Sequence, residues 1–557
     1  MSTLTAWLTA PAPETGVHLA ADTEGWHFSG YPELASSSRR VASALAGAGV
    51  RPGDAVALLL PTGYPMISAV FGVFAAGGAI CPVAPPSFRT DEDYIAHVAS
   101  ILEQAAPVLT VTTDEFAPLV AGAMERAGRP GAPWRFREGR DELEPRAPGD
   151  IALLQFTSGS TGAPRGVRVS WDNLHANFRV LERISGWQPG DGVASWLPLH
   201  HDMGLIGCFL FPVARQAPLW LMRPEQFIRR PERWLGCFTP GKAVITASPS
   251  FAFAYAARRV RPQWLEGADL SQWRSVCVGA ETTDVAALEA FARLAAGTGL
   301  SAHTFQPSYG LAENTLAVTS PPVDRVPRIV LPEWSGMRMG AEVPIVGEAR
   351  LGEWPGEHGP GWLIGHGRPQ ERDGIRIRVV DDGGGTLPDG HLGEIAVTGS
   401  SVADGYHAGR EAGSSRFVDG ELRTGDAGFF HRDDLYVLGR MGESLKLRGR
   451  HVYVEDLDIK VAATAGLARS RVLVVSTVDR GRAGVVVFAE TRPGRWADDV
   501  VGLLRTELGP EPSITVVAGR RGLISKTSSG KPRRRWMWQR LHHGELTHAH
   551  VQAYGPG

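Results

Sequence analysis

The sequence predicts an α/β fold in which helices cover parallel sheets, followed by a more antiparallel region and a smaller α+β segment. Helical patterns alternate with short apolar runs over the first 300 residues, hairpin patterns appear after residue 370, and new strands follow residue 445. Because single hydrophobic cores stop growing at about 250–300 residues, a chain of 557 residues should form more than one domain.

The parallel-sheet region is predicted from repeated helix–strand units. Its strands are near-continuous apolar runs, which are typical of sheets covered by helices on both faces. The helical patterns lie at 34–47, 66–76, 94–104 and 285–296, and the apolar runs lie at 55–61, 79–83, 108–113, 243–249 and 276–281.

The antiparallel region begins with a predicted hairpin. Alternating residues at 375–380 and a second strand at 394–399 flank the turn DDGGGTLPDG. The three glycines at 383–385 belong to this turn and not to a nucleotide loop, since no helix follows them. The last segment carries strands at 471–476 and 483–490 and a helix at 497–508. We therefore predict two domains, residues 1–441 and residues 442–557.

Composition excludes several classes of protein. Fifty-seven basic residues against fifty-nine acidic ones argue against a nucleic-acid-binding protein. The four cysteines form no CxxC pair, so they predict neither a zinc site nor a disulfide framework and favour a cytoplasmic location. The amino terminus lacks the pattern of a secretory signal, and the longest apolar run is interrupted by glycines, so no membrane span is expected.

Residues 155–167 read QFTSGSTGAPRGV, a small and polar run that directly follows an apolar strand pattern. The spacing of a Walker A loop is absent because Pro164 stands five residues after Gly159, and no serine has the GxSxG frame of a nucleophile elbow. Backbone N–H groups and hydroxyls in such a loop can wrap a polyphosphate. A flexible connection between two strands is the alternative, and the loop alone leaves both open.

Three further stretches contain candidate residues with equally open alternatives. In FQPSYGLAENTLAV, Glu313 suits Mg²⁺ and Tyr309 suits a base, but the stretch also fits a capped helix start. In LRTGDAGFF, Asp426 suits ribose hydroxyls, but an Asp-Gly turn explains it too. In SKTSSGKPRRR, Lys531 suits charge on a phosphoryl oxygen, although a surface lysine is the simpler interpretation. The adjacent histidines of HHDMG lack zinc-site spacing.

Together these stretches resemble a known superfamily. TSGSTGAPRGV, SYGLAE, RTGDAGF, GRMGESLKLRGR and KTSSGKPRR occur in the order of the motifs of adenylate-forming, or acyl-activating, enzymes. SWLPLHHDMGLIGCFLFPV, RPEQFIRRPERWL, SPSFAFAYAARR, DLSQWRSVCVGAE and RGRHVYVEDLD are similar to the fatty acyl-AMP ligase branch. The likeness implies a small β-barrel-like subdomain, a family insertion near 323–365, and a mobile C-terminal domain that pivots at Gly442.

The resemblance implies a site for ATP and Mg²⁺, with a role for each matching residue. Phosphates would meet Thr157, Ser158, Gly159, Ser160, Thr161, Gly162 and Arg165; adenine would meet Gly279, Ala280, Glu281 and Tyr309; ribose would meet Asp426 and Arg440. Ser308, Gly310, Leu311 and Ala312 would belong to the same ATP/AMP site. Glu313 would bind the metal, and His201, Asp202, Met203 and Gly204 would line the junction with the acid pocket. Lys531 and His201 would form the catalytic group, His201 in a positional role.

The implied reaction has two halves. A carboxylic acid, such as a fatty acid, first forms acyl-AMP and pyrophosphate, and an acyl carrier protein then accepts the acyl group. An acyl-CoA synthetase, a ligase for aryl acids and a non-catalytic binding protein are the alternatives. Arg165 stands where lysine is common, and Gly442 stands where many relatives have Asp or Lys.

Overall fold

The structure is a computed structural model that describes residues 4–86, 91–157, 164–333, 337, 339–353, 358, 361–409, 415–440, 444–447, 450–479, 482–510, 512–526 and 532–555. The first strands are β1 (Gly16–Ala20), β2 (Trp26–Gly30), β3 (Ala55–Leu59), β4 (Ala79–Pro82), β5 (Leu109–Thr112), β6 (Trp134–Arg135), β7 (Ile151–Thr157), β8 (Arg165–Ser170), β9 (Gly192–Ser195), β10 (Leu219–Leu221), β11 (Ala243–Ser248), β12 (Ser275–Val278) and β13 (Phe305–Pro307).

These strands form two mainly parallel sheets, which confirms the predicted fold class. One sheet has the order β13-β12-β11-β9-β10-β1-β2, with only the β1–β2 pair antiparallel. The other has the order β6-β5-β3-β4-β7-β8, with only the β7–β8 pair antiparallel. The apolar strand patterns of the sequence are explained by burial between helices.

The helices of this region are α1 (Tyr31–Gly47), α2 (Tyr64–Ala75), α3 (Asp91–Ala105), α4 (Ala117–Arg126), α5 (Trp171–Ser185), α6 (Phe211–Ala214), α7 (Pro224–Arg229), α8 (Pro231–Leu235), α9 (Ser250–Arg259), α10 (Pro262–Leu265) and α11 (Val285–Leu294). A π-helix at Met203–Leu210 precedes α6. One large buried cluster, around Phe71 and Phe209, contains strand residues of both sheets, and another, around Trp234 and Phe253, contains strand residues of the first sheet.

The next region is antiparallel, as predicted. Its strands are β14 (Tyr309–Gly310), β15 (Ala317–Thr319), β16 (Arg328–Pro332), β17 (Ile345–Arg350), β18 (Leu363–Ile364), β19 (Ile375–Val380), β20 (Gly393–Gly399), β21 (Arg416–Val418), β22 (Glu421–His431) and β23 (Asp434–Arg440). β19 and β20 form the predicted hairpin. β16, β17 and β18 form a three-stranded sheet within 323–365.

Five of these strands form one sheet, with the order β19-β20-β22-β21 and with β23 also paired to β22. β22 pairs with β21 through its first residues and with β23 through its later ones. Among the described strands β19 has no second neighbour in this sheet, so the sheet stays open and does not close into the barrel that the resemblance implied.

The last segment has its own sheet and hydrophobic clusters. It contains β24 (Ser444–Leu447), β25 (Arg450–Tyr453), α12 (Val454–Thr464), β26 (Val472–Asp479), β27 (Arg482–Ala489), α13 (Trp496–Leu508), β28 (Ser513–Ala518), α14 (Arg534–His542) and β29 (His550–Tyr554). The sheet order is β26-β27-β28-β29. Side chains of α12 and α13 pack in one cluster, and Met537 of α14 packs in another. None of the helices in the described ranges is both long and apolar enough to cross a bilayer.

Candidate active site

A cavity of about 930 Å³ opens where strands of both parallel sheets end. Val83, Gly279 and Ser308 line it, and they directly follow β4, β12 and β13. β7 contributes its last residue, Thr157. Ligands of open α/β sheets bind at the carboxyl ends of the strands, so the topology itself favours a site here.

The predicted phosphate loop connects two antiparallel strands. β7 ends at Thr157 and β8 begins at Arg165, and these two residues face each other in register. The hydroxyl of Thr157 is buried and has no hydrogen-bond partner within the described ranges. Ser158, Gly159, Ser160, Thr161 and Gly162 lie outside the described residues. Thr157 therefore marks the place where the loop joins the cavity.

Arg165 is directed at Glu313. It is 4% exposed, and its Nη2 lies 3.5 Å from Oε1 of Glu313. The guanidinium lies over the Tyr406 ring, 4.4 Å from the ring centroid, and Nη1 donates to the carbonyl oxygen of Ser415 at 3.4 Å. The Arg165 guanidinium is thus held by Glu313, Tyr406 and Ser415, an arrangement that the sequence analysis did not predict.

Glu313 lies in a short 3₁₀ turn, Ala312–Asn314, and lines the cavity although only 2% of it is exposed. Its Oε1 accepts a hydrogen bond of 2.6 Å from the Tyr406 hydroxyl. No group of three metal-ligating side chains occurs in the part of the chain that the structure describes. Mg²⁺ is usually held by one or two carboxylates together with substrate phosphates, so the Glu313 carboxylate fits this ion as a single protein ligand.

Tyr309 and Asp426 meet on another wall of the cavity. The Tyr309 hydroxyl donates to Oδ2 of Asp426 at 2.7 Å, and both residues are buried. Asp426 on β22 faces Arg440 on β23 in register. The Asp426 carboxylate is therefore fixed in direction by the tyrosine, as an acceptor for sugar hydroxyls would have to be.

His366 lies beside Tyr309, with the two rings 6.5 Å apart, and lines the cavity. Its Nδ1 lies 3.2 Å from the carbonyl oxygen of Leu435. Burial lowers the pKa of His366 to about 4, so its imidazole is neutral at physiological pH. None of the sequence motifs pointed to this histidine.

The stretch 279–281 lines the cavity as a tight turn. Ala280 has a φ of +68°, and a Cβ at Gly279 would lie 2.9 Å from the carbonyl oxygen of Ser308. Oε1 of Glu281 accepts hydrogen bonds from the Ser250 hydroxyl at 2.7 Å and from the Phe251 N–H at 2.9 Å. Glu281 therefore joins the turn to the first residues of α9. Gly310, Leu311 and Ala312 complete this wall.

The HHDMG stretch leads into the π-helix. Oδ1 of Asp202 accepts from the Met203 N–H at 2.8 Å, and a Cβ at Gly204 would clash with the carbonyl oxygen of Pro198. His201 and Met203 line the cavity, and so does His200, which the sequence analysis did not select. π-Helices are rare and occur frequently at functional sites.

The π-helix and several other elements also line the cavity with apolar side chains. Two hydroxyls in this wall are bonded to the backbone: Thr246 Oγ1 donates to Ala194 and Ser185 Oγ donates to Leu181, both at 2.6 Å. The apolar lining includes Leu181, Ile184, Val193, Cys208, Phe211 and Ile245. Such a wall suits an apolar substrate chain, and no contiguous motif could have predicted it.

The C-terminal segment reaches the same cavity through Lys526, Arg533 and Arg534. Nζ of Lys526 donates to the carbonyl oxygen of Ser470 at 2.8 Å, and burial lowers the pKa of this lysine. Lys526 and Pro532 form an isolated β-bridge. Lys531 and Gly442 lie outside the described residues, and the structure describes the backbone of Arg440 but not its side chain.

Comparisons with known proteins agree on one family. The AMP-binding enzyme family matches residues 12–407. A long-chain-fatty-acid–AMP ligase of Mycobacterium tuberculosis is 30% identical over 87% of this chain and 86% of its own length. A 4-hydroxyphenylalkanoate adenylyltransferase of the same organism is 31% identical over 90% of this chain and 84% of its own.

A solved structure from work on fatty acyl-adenylate ligases of E. coli and L. pneumophila is similar to this chain throughout. It superposes with a TM-score of 0.83 at 26% identity, covering 98% of this chain and 99% of the other.

Proposed function

The chain belongs to the AMP-binding enzyme family and is an adenylate-forming ligase of the fatty acyl-AMP ligase branch, and from this we propose the reaction that it catalyses. It joins a fatty or related carboxylic acid to AMP at the expense of ATP, and then passes the acyl group to the phosphopantetheine thiol of an acyl carrier protein. A cytoplasmic location, where ATP is made, remains our prediction.

One observation carries the proposal: a single cavity combines polar groups suited to a nucleotide with an apolar wall suited to a hydrocarbon chain. Its lining includes the polar residues Thr157, Glu313 and Asp426 and the apolar residues Ile184 and Phe211. We assign the junction between the two parts to His201 and Met203, which also line the cavity. This arrangement supports a reaction between the head group of an acid and the α-phosphate of ATP.

In the first half-reaction, a carboxylate oxygen attacks the α-phosphorus and pyrophosphate leaves. We assign the ribose hydroxyls to Asp426, which Tyr309 holds in direction. We assign the β- and γ-phosphates to the 157–162 loop and the adenine to the walls formed by 279–281 and 308–312. Lys531 would donate to the oxygens on which negative charge develops, and preorganised donors of this kind are effective because they need no reorganisation.

The Glu313 carboxylate would hold Mg²⁺ together with phosphate oxygens of ATP. When bound, this ion neutralises charge on those oxygens. Arg165 lies over the Tyr406 ring with its Nη2 3.5 Å from Oε1 of Glu313, and its contact with phosphate stays a prediction.

In the second half-reaction, the thiol of the carrier attacks the acyl carbonyl and AMP leaves. We propose that residues 442–557 move as a domain between the two halves, with the pivot at Gly442. Among the residues that the structure describes, the hydrophobic clusters around Leu457 and Phe488 contain no residue from before residue 454, which supports an independent unit.

An aryl-substituted acid is a second candidate substrate. The 4-hydroxyphenylalkanoate adenylyltransferase is as similar to this chain as the long-chain-fatty-acid–AMP ligase is. The apolar lining of the cavity suits both the alkyl chain of a fatty acid and the chain of an aryl-substituted acid.

ATP–pyrophosphate exchange with a panel of acids tests the proposal. The panel contains saturated fatty acids of four to eighteen carbons and 4-hydroxyphenylalkanoates. We expect exchange with at least one series, and a flat response to every member would contradict acyl-adenylate formation. Mass spectrometry of a holo-carrier protein and of coenzyme A, offered together, then identifies the acceptor. Exclusive formation of acyl-CoA would overturn the carrier part of the proposal.

A further inference from the structure

Tyr406 contacts both charged residues on the phosphate side of the cavity. Its hydroxyl donates to Oε1 of Glu313 at 2.6 Å, and its ring lies beneath the guanidinium of Arg165 at 4.4 Å. Only 7% of the residue is exposed. A single buried side chain therefore fixes one carboxylate and one cation that face each other.

The loop that carries Tyr406, residues 400–406, is itself tightly held on two sides. On one side the Ala403 N–H donates to the carbonyl oxygen of Glu313 at 2.9 Å, and the Thr315 hydroxyl donates to that of Ser401 at 2.7 Å. On the other side the Arg168 N–H donates to the carbonyl oxygen of Gly405 at 2.9 Å. The position of the tyrosine is thus set by the turn of Glu313 and by β8, the strand that begins with Arg165.

The two oxygens of Glu313 have different surroundings. Oε1 receives the tyrosine hydroxyl and lies 3.5 Å from Nη2 of Arg165. Among the described residues Oε2 accepts no hydrogen bond, and the residue lines the cavity. A cavity-lining carboxylate with one oxygen bonded to the protein and no hydrogen bond to the other can bind a cation through that second oxygen.

Without the tyrosine hydroxyl, Oε1 would be open to Arg165. The guanidinium is always charged, lies 3.5 Å from Oε1, and needs to move by less than about one ångström to donate a direct, charge-assisted hydrogen bond to the carboxylate. Such a pair would compete with a divalent cation for Glu313. The hydroxyl occupies Oε1 and the ring supports the guanidinium, so both contacts oppose this competition.

We propose that Tyr406 is a positioning residue that orients Glu313 toward a divalent cation and keeps Arg165 from pairing fully with it. The inference rests on the proposed function, in which Glu313 is the metal ligand. Residues that orient metal ligands typically contribute 10- to 100-fold to metal affinity.

The test is the variant Tyr406→Phe, which removes the hydroxyl and keeps the ring. We expect the Mg²⁺ concentration for half-maximal ATP–pyrophosphate exchange to rise about 10- to 100-fold. The KM for the acid and the melting temperature should change little, because neither depends on the orientation of Glu313. A direct readout is Mn²⁺ binding to the protein–ATP complex, followed by electron paramagnetic resonance, which should weaken by a similar factor.

Tyr436→Phe is the matched control. Tyr436 is fully buried, its hydroxyl has no hydrogen-bond partner within the described ranges, and its ring packs on Phe429. This variant should leave Mg²⁺ dependence unchanged. An unchanged Mg²⁺ requirement and unchanged Mn²⁺ binding in Tyr406→Phe would overturn the inference.

The variant Glu313→Gln separates this inference from the proposed function. If Glu313→Gln weakens cation binding and Tyr406→Phe does not, only the role of Tyr406 fails. If Glu313→Gln itself leaves Mn²⁺ binding unchanged, Glu313 is not the metal ligand, and both the metal assignment and the inference fail. If no acid supports exchange, the proposed reaction fails, while Mn²⁺ binding in the presence of ATP still tests Tyr406.

Discussion

The imidazole of His366 is buried in the cavity wall beside Tyr309, where burial lowers its pKa from 6.5 to about 4. The unfolded chain therefore binds more protons at this residue than the folded chain does between pH 6.5 and 4. Its contribution to the free energy of unfolding falls as the pH falls through that range, by about 2 kcal/mol between pH 7 and 5.

We predict that His366→Gln is less sensitive to acid than the parent chain. Glutamine retains an N–H donor for Leu435 and does not titrate, so the loss of stability between pH 7 and 5 should be smaller by about 2 kcal/mol. Urea titrations of the first unfolding transition at both pH values measure the difference. Equal losses in both proteins would mean that His366 is not kept neutral by the fold.

A second prediction about a single residue concerns Lys531. Replacement by alanine should lower the rate of acyl-adenylate formation about 10²- to 10³-fold, because a preorganised donor to the reacting oxygens is lost. ATP–pyrophosphate exchange measures the rate. Lys526→Ala is the comparison variant, since the Lys526 ammonium already donates to Ser470, and it should retain most of the activity. An unchanged rate of ATP–pyrophosphate exchange in Lys531→Ala would show that Lys531 is not catalytic.

The sequence predicted some residues of the site and missed others. The motifs identified Glu313, Tyr309 and Asp426, and the structure brings all three to one cavity. They did not identify Tyr406 or predict that Arg165 lies against Glu313, because that arrangement depends on the packing of the 400–406 loop against β8. Contacts between segments distant in the chain leave no local pattern of residue types.

At the scale of elements, buried strands were the most predictable part of the chain. The predicted run 55–61 contains β3, and the predicted hairpin contains β19 and β20, because burial on a sheet imposes an apolar or alternating pattern. The π-helix Met203–Leu210 was not predicted, since its apolar residues fit an α-helix equally well. The open five-stranded sheet also differs from the expected barrel, because closure depends on the pairing of edge strands and not on pattern.

The tight packing of the π-helix predicts that Gly204 cannot be replaced by a larger residue without cost. A Cβ at this position would clash with the carbonyl oxygen of Pro198, which is backbone and has little room to yield. Gly204→Ala should therefore lower the free energy of unfolding by about 1–3 kcal/mol, the usual cost of overpacking. Gly502→Ala is the control, because Gly502 lies at an exposed position of α13 with open space around it. There the change should raise the free energy of unfolding by roughly 0.5–1 kcal/mol. Thermal and urea unfolding measure both, and equal effects of the two changes would contradict the packing argument.

At the scale of the whole molecule, the cavity is built by two parts of the chain. Residues up to 439 supply most of its wall, and Lys526, Arg533 and Arg534 supply another part. The clusters around Leu457 and Phe488 are formed within the C-terminal segment. A segment with its own core can move as a body, and such movement would let one cavity serve two successive reactions.

This movement can be tested at Gly442, where we propose the pivot. Proline fixes φ near −65°, so Gly442→Pro should restrict the backbone change that a pivot requires. We expect ATP–pyrophosphate exchange to fall less than about tenfold and transfer of the acyl group to a holo-carrier protein to fall by at least 10²-fold, because only the second half-reaction requires the other arrangement of the C-terminal segment. Gly442→Ala, which leaves φ adjustable, serves as the control and should affect both halves mildly. Equal losses in exchange and transfer for Gly442→Pro would indicate damage to the fold, and unimpaired transfer would place the pivot elsewhere in the chain.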